Sequence, residues 1–229
     1  MKFKTILACA VLGLVIFNGR LNAAVESDIV GYTTITMEAD KWYIVGNPFV
    51  ALDGSDTCTI NGAFVGAGFA KNDILYVLQP DGVFVPNYWN QANSGWSKHK
   101  ILWQEDTTQY PNSTAVYLYK ASAGSLTFAG KVSSVAVDVG DEAGNAWSLT
   151  SFVCPEEKKL NQYTWTGFAA NDLLYTMDDA GVFTPHYWNQ ANSGWSKHKI
   201  LWQENTTPLA IGQAVYLFKK STGIGSISH

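Results

Sequence analysis

Short β-prone segments, separated by turn residues, follow one another along most of this chain. Residues 74–78 form an apolar and β-branched run, residues 79–82 (Gln-Pro-Asp-Gly) signal a turn, and residues 83–85 resume the strand. Residues 115–119 and 126–128 have the same strand character. The pattern predicts an all-β fold and no helix.

The same pattern of residues occurs twice along the chain. Residues 68–76 reappear as residues 167–175, so the offset between the copies is 167 − 68 = 99. Upstream the match is looser, and residues 42–44 correspond to residues 147–149 after a small insertion. A sequence repeat of this length predicts a duplicated structural unit.

We therefore expect two tandem homologous β-sandwich or barrel-like domains after a signal peptide. The predicted boundaries are a leader at 1–23, a first β module at 24–127 and a second at 128–229. Each module is expected to contain six or seven strands. No Pro/Ser-rich linker separates the modules, so we expect them to abut.

Comparison of the copies also predicts which strand faces meet solvent. Val77 and Val85 of the first copy become Thr176 and Thr184 in the second. Polar replacement at alternate positions predicts that this face of the strands is exposed. Residues 93–95 (Asn-Ser-Gly) signal a further turn.

The first residues are typical of an export signal. A positively charged start precedes an apolar run at residues 6–17, and small residues follow at Ala23 and Ala24. We place cleavage after Ala23, with Ala24 as the alternative, and a lipid anchor at Cys9 as a rival. The apolar run is shorter than the roughly 20 residues that span a bilayer. The sequence thus predicts an exported protein, extracellular, at the cell surface or in the periplasm, without a transmembrane segment.

The charge argues against nucleic acid as a partner. The full chain carries −4, and removal of Lys2, Lys4 and Arg20 gives −4 − 3 = −7. Arg20 is the only arginine, and arginine is the preferred side chain for phosphate and base-edge contacts. An acidic chain of this kind is also a poor candidate for anionic membrane surfaces.

Two cysteines, Cys58 and Cys154, remain after the leader. They do not occupy equivalent positions in the two copies. An exported protein retains disulfides, so a Cys58–Cys154 bond between the copies is one interpretation. Two free buried thiols are the other.

Identity between the copies is concentrated in one segment. Residues 86–105 match residues 185–204 at 19 of 20 positions, and the single change is Asn87 to His186. The preceding segment, 66–85, matches at only 10 of 20 positions. In residues 86–105, polar residues as well as apolar residues are identical between the two copies. Either a functional demand preserves the polar pattern, or recombination copied the segment recently.

Catalytic patterns are weak. The titratable groups present in both copies are Asp73 and Asp172, Glu105 and Glu204, His99 and His198, and three lysine pairs (Lys98 and Lys197, Lys100 and Lys199, Lys120 and Lys219). An Asp and a Glu at suitable separation make a glycoside hydrolase, and Ser97 with His99 would begin a triad. Neither Gly-x-Ser-x-Gly nor His-Glu-x-x-His is present. We interpret the protein as a non-enzyme in which Asp73 caps a turn.

No cofactor or metal is predicted. One histidine per copy does not make a zinc site. The acidic segments 53–56 and 138–142 are read as polar turns, because neither has the spacing of a calcium loop.

The repeated segment instead favours ligand binding. Aromatic faces stack on sugar rings, and amides bond sugar hydroxyls as both donors and acceptors. We expect Trp89 or Trp96, which flank the turn, to be exposed, with one or two of the tryptophan pairs buried. The predicted ligand-binding residues are Tyr88, Trp89, Asn90, Gln91, Asn93, Trp96 and His99, and their counterparts Tyr187, Trp188, Asn189, Gln190, Asn192, Trp195 and His198.

The leading interpretation is a secreted, non-catalytic binding protein whose ligand is an extracellular glycan. A structural or adhesive cell-surface protein, with another surface protein as its partner, is the alternative. A glycoside hydrolase is the least favoured interpretation. Two copies would give two weak sites and a gain in avidity.

Several segments together resemble a known class. These are residues 27–32 (Ser-Asp-Ile-Val-Gly-Tyr), 44–49 (Ile-Val-Gly-Asn-Pro-Phe) and 72–75 (Asn-Asp-Ile-Leu), with the pair Gly95 and Trp96. The chain resembles small secreted β-rich proteins of environmental bacteria that carry a tandem-duplicated module. The second copy departs from the pattern at residues 150–153, where Gly-Asn-Pro is missing. The resemblance implies a fold and export, and no activity.

Overall fold

The protein is all-β. The computed structural model describes residues 3–4, 30–64, 68–79, 81–132, 136–152, 154 and 156–228. Apart from the short strand Phe3–Lys4, the predicted leader lies outside the described residues. The strands are β1 Phe3–Lys4, β2 Val30–Met37, β3 Lys41–Gly46, β4 Thr57–Cys58, β5 Ile74–Leu78, β6 Phe84–Asn90, β7 Gly95–Ser97, β8 Tyr110–Pro111, β9 Ala115–Lys120, β10 Gly124–Lys131, β11 Val137–Val139, β12 Ala146–Ser151, β13 Lys158–Lys159, β14 Thr164–Thr166, β15 Leu173–Met177, β16 Phe183–Asn189, β17 Gly194–Ser196, β18 Pro208–Leu209, β19 Ala214–Lys219 and β20 Gly225–Ser228.

Two five-stranded antiparallel sheets form the main architecture. In residues 30–132, which we call the N-terminal half, the strand order is β3-β9-β5-β6-β7. In residues 136–228, the C-terminal half, the order is β12-β19-β15-β16-β17. Smaller sheets complete each half, so the packing fits a β-sandwich and not a closed barrel.

Each half has its own apolar core, built by alternation along the strands. In β5, Leu75 and Val77 are buried while their neighbours are partly exposed, and in β9 Leu118 is buried. Leu174 and Leu217 hold the matching positions in the C-terminal half.

The predicted exposure of Val77 and Thr176 is wrong, because both side chains face the core. Thr176 is tolerated there because its hydroxyl lies 2.9 Å from Nε2 of the buried His186. Val85 is partly buried and Thr184 is exposed. A polar counterpart in one copy therefore does not identify a solvent-facing position when a second substitution supplies a hydrogen-bond partner.

The predicted turns are confirmed. The amide of Gly82 donates to the carbonyl of Gln79 at 2.9 Å, with Gly82 at a φ of 82°. The second turn occupies residues 91–94, and there Ser94 has a φ of 50°. The sequence missed α1, the one-turn helix Ile60–Ala63, which the side chain of Thr59 caps, and a 3-10 turn at Leu160–Gln162.

The two halves meet through reciprocal backbone hydrogen bonds. The amide of Gly46 donates to the carbonyl of Gly212 at 3.1 Å, and the amide of Ser151 donates to the carbonyl of Ser113 at 2.9 Å. Gly46 and Ser151 end the equivalent strands β3 and β12, and Ser113 and Gly212 are 99 positions apart. The contact therefore has approximate two-fold symmetry.

Aromatic rings extend this contact between the halves. The ring centroids of Phe84 and Tyr216 are 6.0 Å apart, and those of Tyr117 and Phe183 are 6.2 Å apart. Burial raises the pKa of both Tyr117 and Tyr216. A pocket of about 310 Å³ lies among these rings and is lined by aromatic and aliphatic side chains.

Cys58 and Cys154 are both free thiols in this structure. Cys154 is buried, and Cys58 is partly buried. This matches the free-thiol interpretation for the pair, except that only Cys154 is fully enclosed. Among the described residues, no helix has the length and apolar character needed to cross a membrane.

Candidate functional site

The tryptophans of the predicted binding hairpin are core residues. Trp89 and Trp96 pair across β6 and β7, with ring centroids 5.3 Å apart, and both are buried. Trp188 and Trp195 repeat this arrangement. The expectation that Trp89 or Trp96 is exposed is wrong, because both indoles pack against the ring of Phe69. Their faces are not available to a sugar.

The amides of the hairpin hold its turn. The side-chain oxygen of Asn90 accepts a hydrogen bond from the amide of Asn93 at 3.0 Å, and Asn189 and Asn192 repeat the bond. Gln91 and Gln190 are exposed, as are Asn93 and Asn192, whereas Tyr88 and Tyr187 are partly buried. The turn thus presents polar groups, and neither Trp89 nor Trp96 is accessible beside them.

The conspicuous exposed surface lies in the loop that follows β7. We call residues 98–104 the first tip loop and residues 197–203 the second tip loop. Ile101 is 82% exposed, Leu102 65% and Trp103 40%. In the second tip loop Ile200 is 83% exposed, and Leu201 and Trp202 closely follow their counterparts. Three consecutive apolar residues on a loop surface are unusual for a soluble protein.

Ser97 fixes the first tip loop from its base. Its buried hydroxyl lies 2.9 Å from the carbonyl of His99 and 3.0 Å from that of Leu102. The same oxygen accepts from the amides of His99 and Gln104, at 3.2 and 3.0 Å. Ser196 repeats all four contacts in the second tip loop. One hydroxyl therefore closes the loop onto itself.

His99 supports the apex of the loop. Its Nδ1 accepts hydrogen bonds from the amides of Ile101 and Leu102, at 3.2 and 3.1 Å. An acceptor Nδ1 carries no proton, so the neutral ring has its N–H at Nε2. His198 makes the same two bonds. The predicted site residues His99 and His198 therefore belong to the tip loops and lie outside the indole hairpin.

Trp103 lies against the protein on one side. A Cβ atom placed on Gly95 would come 3.0 Å from Cη2 of Trp103, and the equivalent distance for Gly194 and Trp202 is 3.2 Å. The absence of a side chain at Gly95 thus lets the indole settle onto β7 while part of the ring stays exposed. Asn61 braces the same strand, accepting from the Trp96 amide at 2.6 Å.

The groups beneath the two tip loops differ in charge. Lys98 forms an ion pair with the buried carboxylate of Asp106 at 3.0 Å. In the C-terminal half, Asn205 replaces that carboxylate beside His186. Burial lowers the pKa of His186 to about 4, and the charge of Lys197 adds to the shift.

The repeated aspartates are buried and bonded to groups within the protein. Asp73 forms a fully buried ion pair with Lys120, and its carboxylate also accepts from the amides of Ala70 and Ala121. Asp172 accepts from the hydroxyl and amide of Ser221. As predicted, Asp73 caps a turn. The hydroxyl of Ser97 bonds backbone groups and does not bond the His99 ring.

The acidic segments 53–56 and 138–142, which the sequence predicts to be polar turns, use their carboxylates to hold turns. Asp53 accepts from the amide of Ser55 at 2.9 Å, and Asp141 accepts from the amide of Gly144 at 2.7 Å. Within the described ranges, no cluster of three or more His, Cys, Asp or Glu side chains is placed to hold a metal ion.

Comparison with known proteins returned no family model, no curated protein and no solved structure that matches this chain. The resemblance to secreted bacterial β-proteins stays a prediction. The site is therefore argued from the geometry of the tip loops. A sequence signal for them existed, because three apolar residues (Ile101, Leu102 and Trp103) interrupt a polar part of the repeated segment.

Proposed function

We propose that this protein is a secreted, non-catalytic binding protein whose contact elements are the two tip loops. The observation that carries the proposal is the exposure of Ile101 and Ile200, 82% and 83%, at equivalent positions. Solvent exposure of large apolar side chains has a free-energy cost, and a soluble chain that places them twice at a loop apex gains by covering them.

The polar identity of the copies fits the same proposal. The side chains of Ser97 and His99, which are repeated in the second copy, hold the tip loop through bonds to its backbone. A rigid loop binds without the entropy loss of ordering a flexible one. A functional demand on the segment is therefore one explanation of the repeated polar pattern, and recent recombination is the other.

A carbohydrate partner stays a proposal, but its proposed binding residues are now Trp103 and Trp202 instead of the hairpin residues. These indoles are partly exposed, and His99 supplies an N–H donor while Gln104 supplies an amide beside Trp103. The adhesive alternative is favoured by a different observation. Ile101 and Leu102 are more exposed than Trp103, and an aliphatic pair suits an apolar partner better than a sugar.

The experiment compares two sets of variants. Trp103→Ala with Trp202→Ala removes the indoles, and Ile101→Ser, Leu102→Ser, Ile200→Ser and Leu201→Ser remove the aliphatic pairs. The matched control is Val83→Ser with Val182→Ser, since these valines are also exposed but lie in another loop. Binding to insoluble cellulose, chitin and peptidoglycan is measured by co-sedimentation, and self-association by light scattering.

A carbohydrate-binding protein is expected to lose sedimentation at least tenfold in the tryptophan variant alone. An adhesive protein is expected to lose self-association in the serine variant. If native protein binds a surface or itself and both variants do so as tightly, the tip loops are not the contact elements and the proposal fails.

A further inference from the structure

We infer that the two tip loops insert their aliphatic pairs, Ile101 with Leu102 and Ile200 with Leu201, into the interface of a zwitterionic lipid membrane. The inference rests on the proposed function, because it assigns a partner to the same loops. Its first support is position. The aliphatic side chains are the most exposed large apolar groups of the described chain, and Trp103 is partly covered by Gly95.

The second support is the hydrogen bonding of the loop backbone. A loop enters an apolar medium at low cost only when its amides and carbonyls have partners within the protein. The amides of Ile101 and Leu102 are bonded to Nδ1 of His99, and the carbonyl of Leu102 is bonded to Ser97, whereas the carbonyl of Ile101 has no hydrogen-bond partner among the described residues. Binding to a sugar, which forms hydrogen bonds itself, does not need amides that are satisfied in advance. Entry of the loop into lipid is easier when its amides already have partners within the protein.

The third support is the set of residues that flank the apex. Lys100 precedes the aliphatic pair and is exposed, and Trp103 follows it. Tryptophan is enriched at membrane interfaces, where its ring sits at headgroup level, and lysine extends its amine from an apolar surface to water. Lys100 and Trp103 thus suit the headgroup region, and the aliphatic pair between them suits the shallow acyl region.

The net charge of the protein determines which lipid headgroups we expect it to prefer. The chain is acidic, −4 in full and −7 without the predicted leader, and Glu105 and Glu204 are exposed close to the tip loops. Anionic lipids repel the acidic chain as a whole, although Lys100 and Lys199 are exposed in the loops themselves, so the apolar insertion has to supply the affinity. We therefore expect tighter binding to phosphatidylcholine than to vesicles rich in phosphatidylglycerol, with the difference shrinking as salt rises.

The protein carries the aliphatic pair twice, and binding of both loops to one vesicle would add avidity. A single shallow anchor binds membranes weakly and reversibly, while two anchors on one body act together when both reach the surface. Loss of one aliphatic pair is expected to weaken vesicle binding at least tenfold. Loss of both pairs is expected to remove it.

The test uses purified protein and sonicated phosphatidylcholine vesicles. Native protein, Ile101→Ser with Leu102→Ser, Ile200→Ser with Leu201→Ser, and the variant with all four changes are compared by vesicle co-sedimentation and by the tryptophan emission maximum. Val83→Ser with Val182→Ser is the matched control and is expected to bind as native. Equal melting temperatures show that each variant is folded.

Native protein that fails to bind phosphatidylcholine overturns the inference, as does undiminished binding by the variant with four changes. If native protein does not bind vesicles but the same variant loses polysaccharide binding or self-association, the lipid inference is wrong and the proposed function stands. If the tip-loop changes affect none of these measurements, both are wrong.

Discussion

Nδ2 of Asn205 lies 2.7 Å from Nδ1 of His186 in the core of the C-terminal half. In the N-terminal half the equivalent residues are Asn87 and Asp106, whose side chains are 3.5 Å apart. The two positions have changed together between the halves. An amide faces a carboxylate in one half and an imidazole in the other, while Oδ1 of Asn87 is buried without a hydrogen-bond partner among the described residues.

Acid is expected to destabilise the C-terminal half through His186. Its pKa is lowered to about 4 in the folded protein, whereas an exposed histidine has a pKa near 6.5. The unfolded chain therefore binds the proton first, and stability falls as pH drops from about 6.5 to about 4. The loss approaches about 3 kcal/mol.

His186→Asn is expected to remove that part of the pH dependence. Urea unfolding of native and variant protein at pH 7 and pH 4.5 measures it, and carboxylate titration cancels in the comparison. Asn205→Asp gives His186 a carboxylate like that of Asp106, which favours the charged ring. This substitution is expected to reduce the loss of folding stability at acidic pH. Equal pH dependence in native protein and His186→Asn would contradict this account of the core.

The buried ion pair of Lys120 and Asp73 is expected to be sensitive to removal of one partner. Lys120→Met leaves a buried carboxylate without its counter-charge, which costs about 3–5 kcal/mol. In the C-terminal half, the hydroxyl of Ser221 lies between the charges, 2.6 Å from Nζ of Lys219 and 2.8 Å from Oδ2 of Asp172.

Ser221→Ala therefore removes a bridging group and leaves both charges with other partners. We expect it to cost about 1–3 kcal/mol, less than Lys120→Met. Denaturant unfolding of the two variants provides the comparison. A larger loss for Ser221→Ala would show that the hydroxyl is the main stabilising partner of Asp172.

The equivalent indoles Trp96 and Trp195 are expected to respond differently to replacement by phenylalanine. Nε1 of Trp96 donates to the carbonyl of Phe64 at 2.5 Å. Nε1 of Trp195 is buried and finds no acceptor among the described residues. Both changes create a similar cavity, but only Trp96→Phe breaks a hydrogen bond.

Trp96→Phe should thus destabilise the protein by about 1–3 kcal/mol more than Trp195→Phe. The two variants are each other's control, and thermal and urea unfolding give the difference. Equal losses would mean that cavity formation alone sets the cost and that the hydrogen bond adds nothing.

Gly46 is expected to tolerate no side chain. A Cβ placed there would lie 2.3 Å from Cβ of Ser151, so Gly46→Ala forces the halves apart. We expect a loss of about 1–3 kcal/mol, as in other overpacked contacts. Ser151→Gly added to Gly46→Ala should recover part of it, since the clash is removed.

A double-mutant cycle by urea unfolding measures the coupling between the two positions. Additive losses in the cycle would show that the halves do not meet at this point. Ser151→Gly alone loses the hydrogen bond from its hydroxyl to the carbonyl of Asn47, 3.0 Å away, and should be mildly destabilising.

Local features were predictable from sequence, and those that depend on distant contacts were not. The turns at Gly82 and Ser94 follow from neighbouring residues, so the sequence predicted them. The burial of Trp96 depends on Phe69 and on α1, which supplies no strong helix signal. The predicted exposure of Val77 was wrong because its counterpart Thr176 is satisfied by His186, 10 residues further along, in the neighbouring strand β16.

The tip loops fall between these cases. Ser97, His99 and Gln104 are close in sequence, yet the exposure of Ile101 follows only from bonds that side chains make to the backbone. No hydropathy pattern reports such bonds, and an apolar triplet reads as a buried strand by default. The carbohydrate hypothesis gave weight to aromatic residues, and so it overlooked the aliphatic pair.

The meeting of Gly46 with Ser151 limits how these halves can associate. In a symmetric pair of separate, identical modules, both positions would hold the same residue. Two serines would collide, and two glycines would forgo the bond to Asn47. Only two modules of different sequence can place a small residue on one side and a hydroxyl on the other. Excised as independent chains, neither module would reproduce this junction with a second copy of itself.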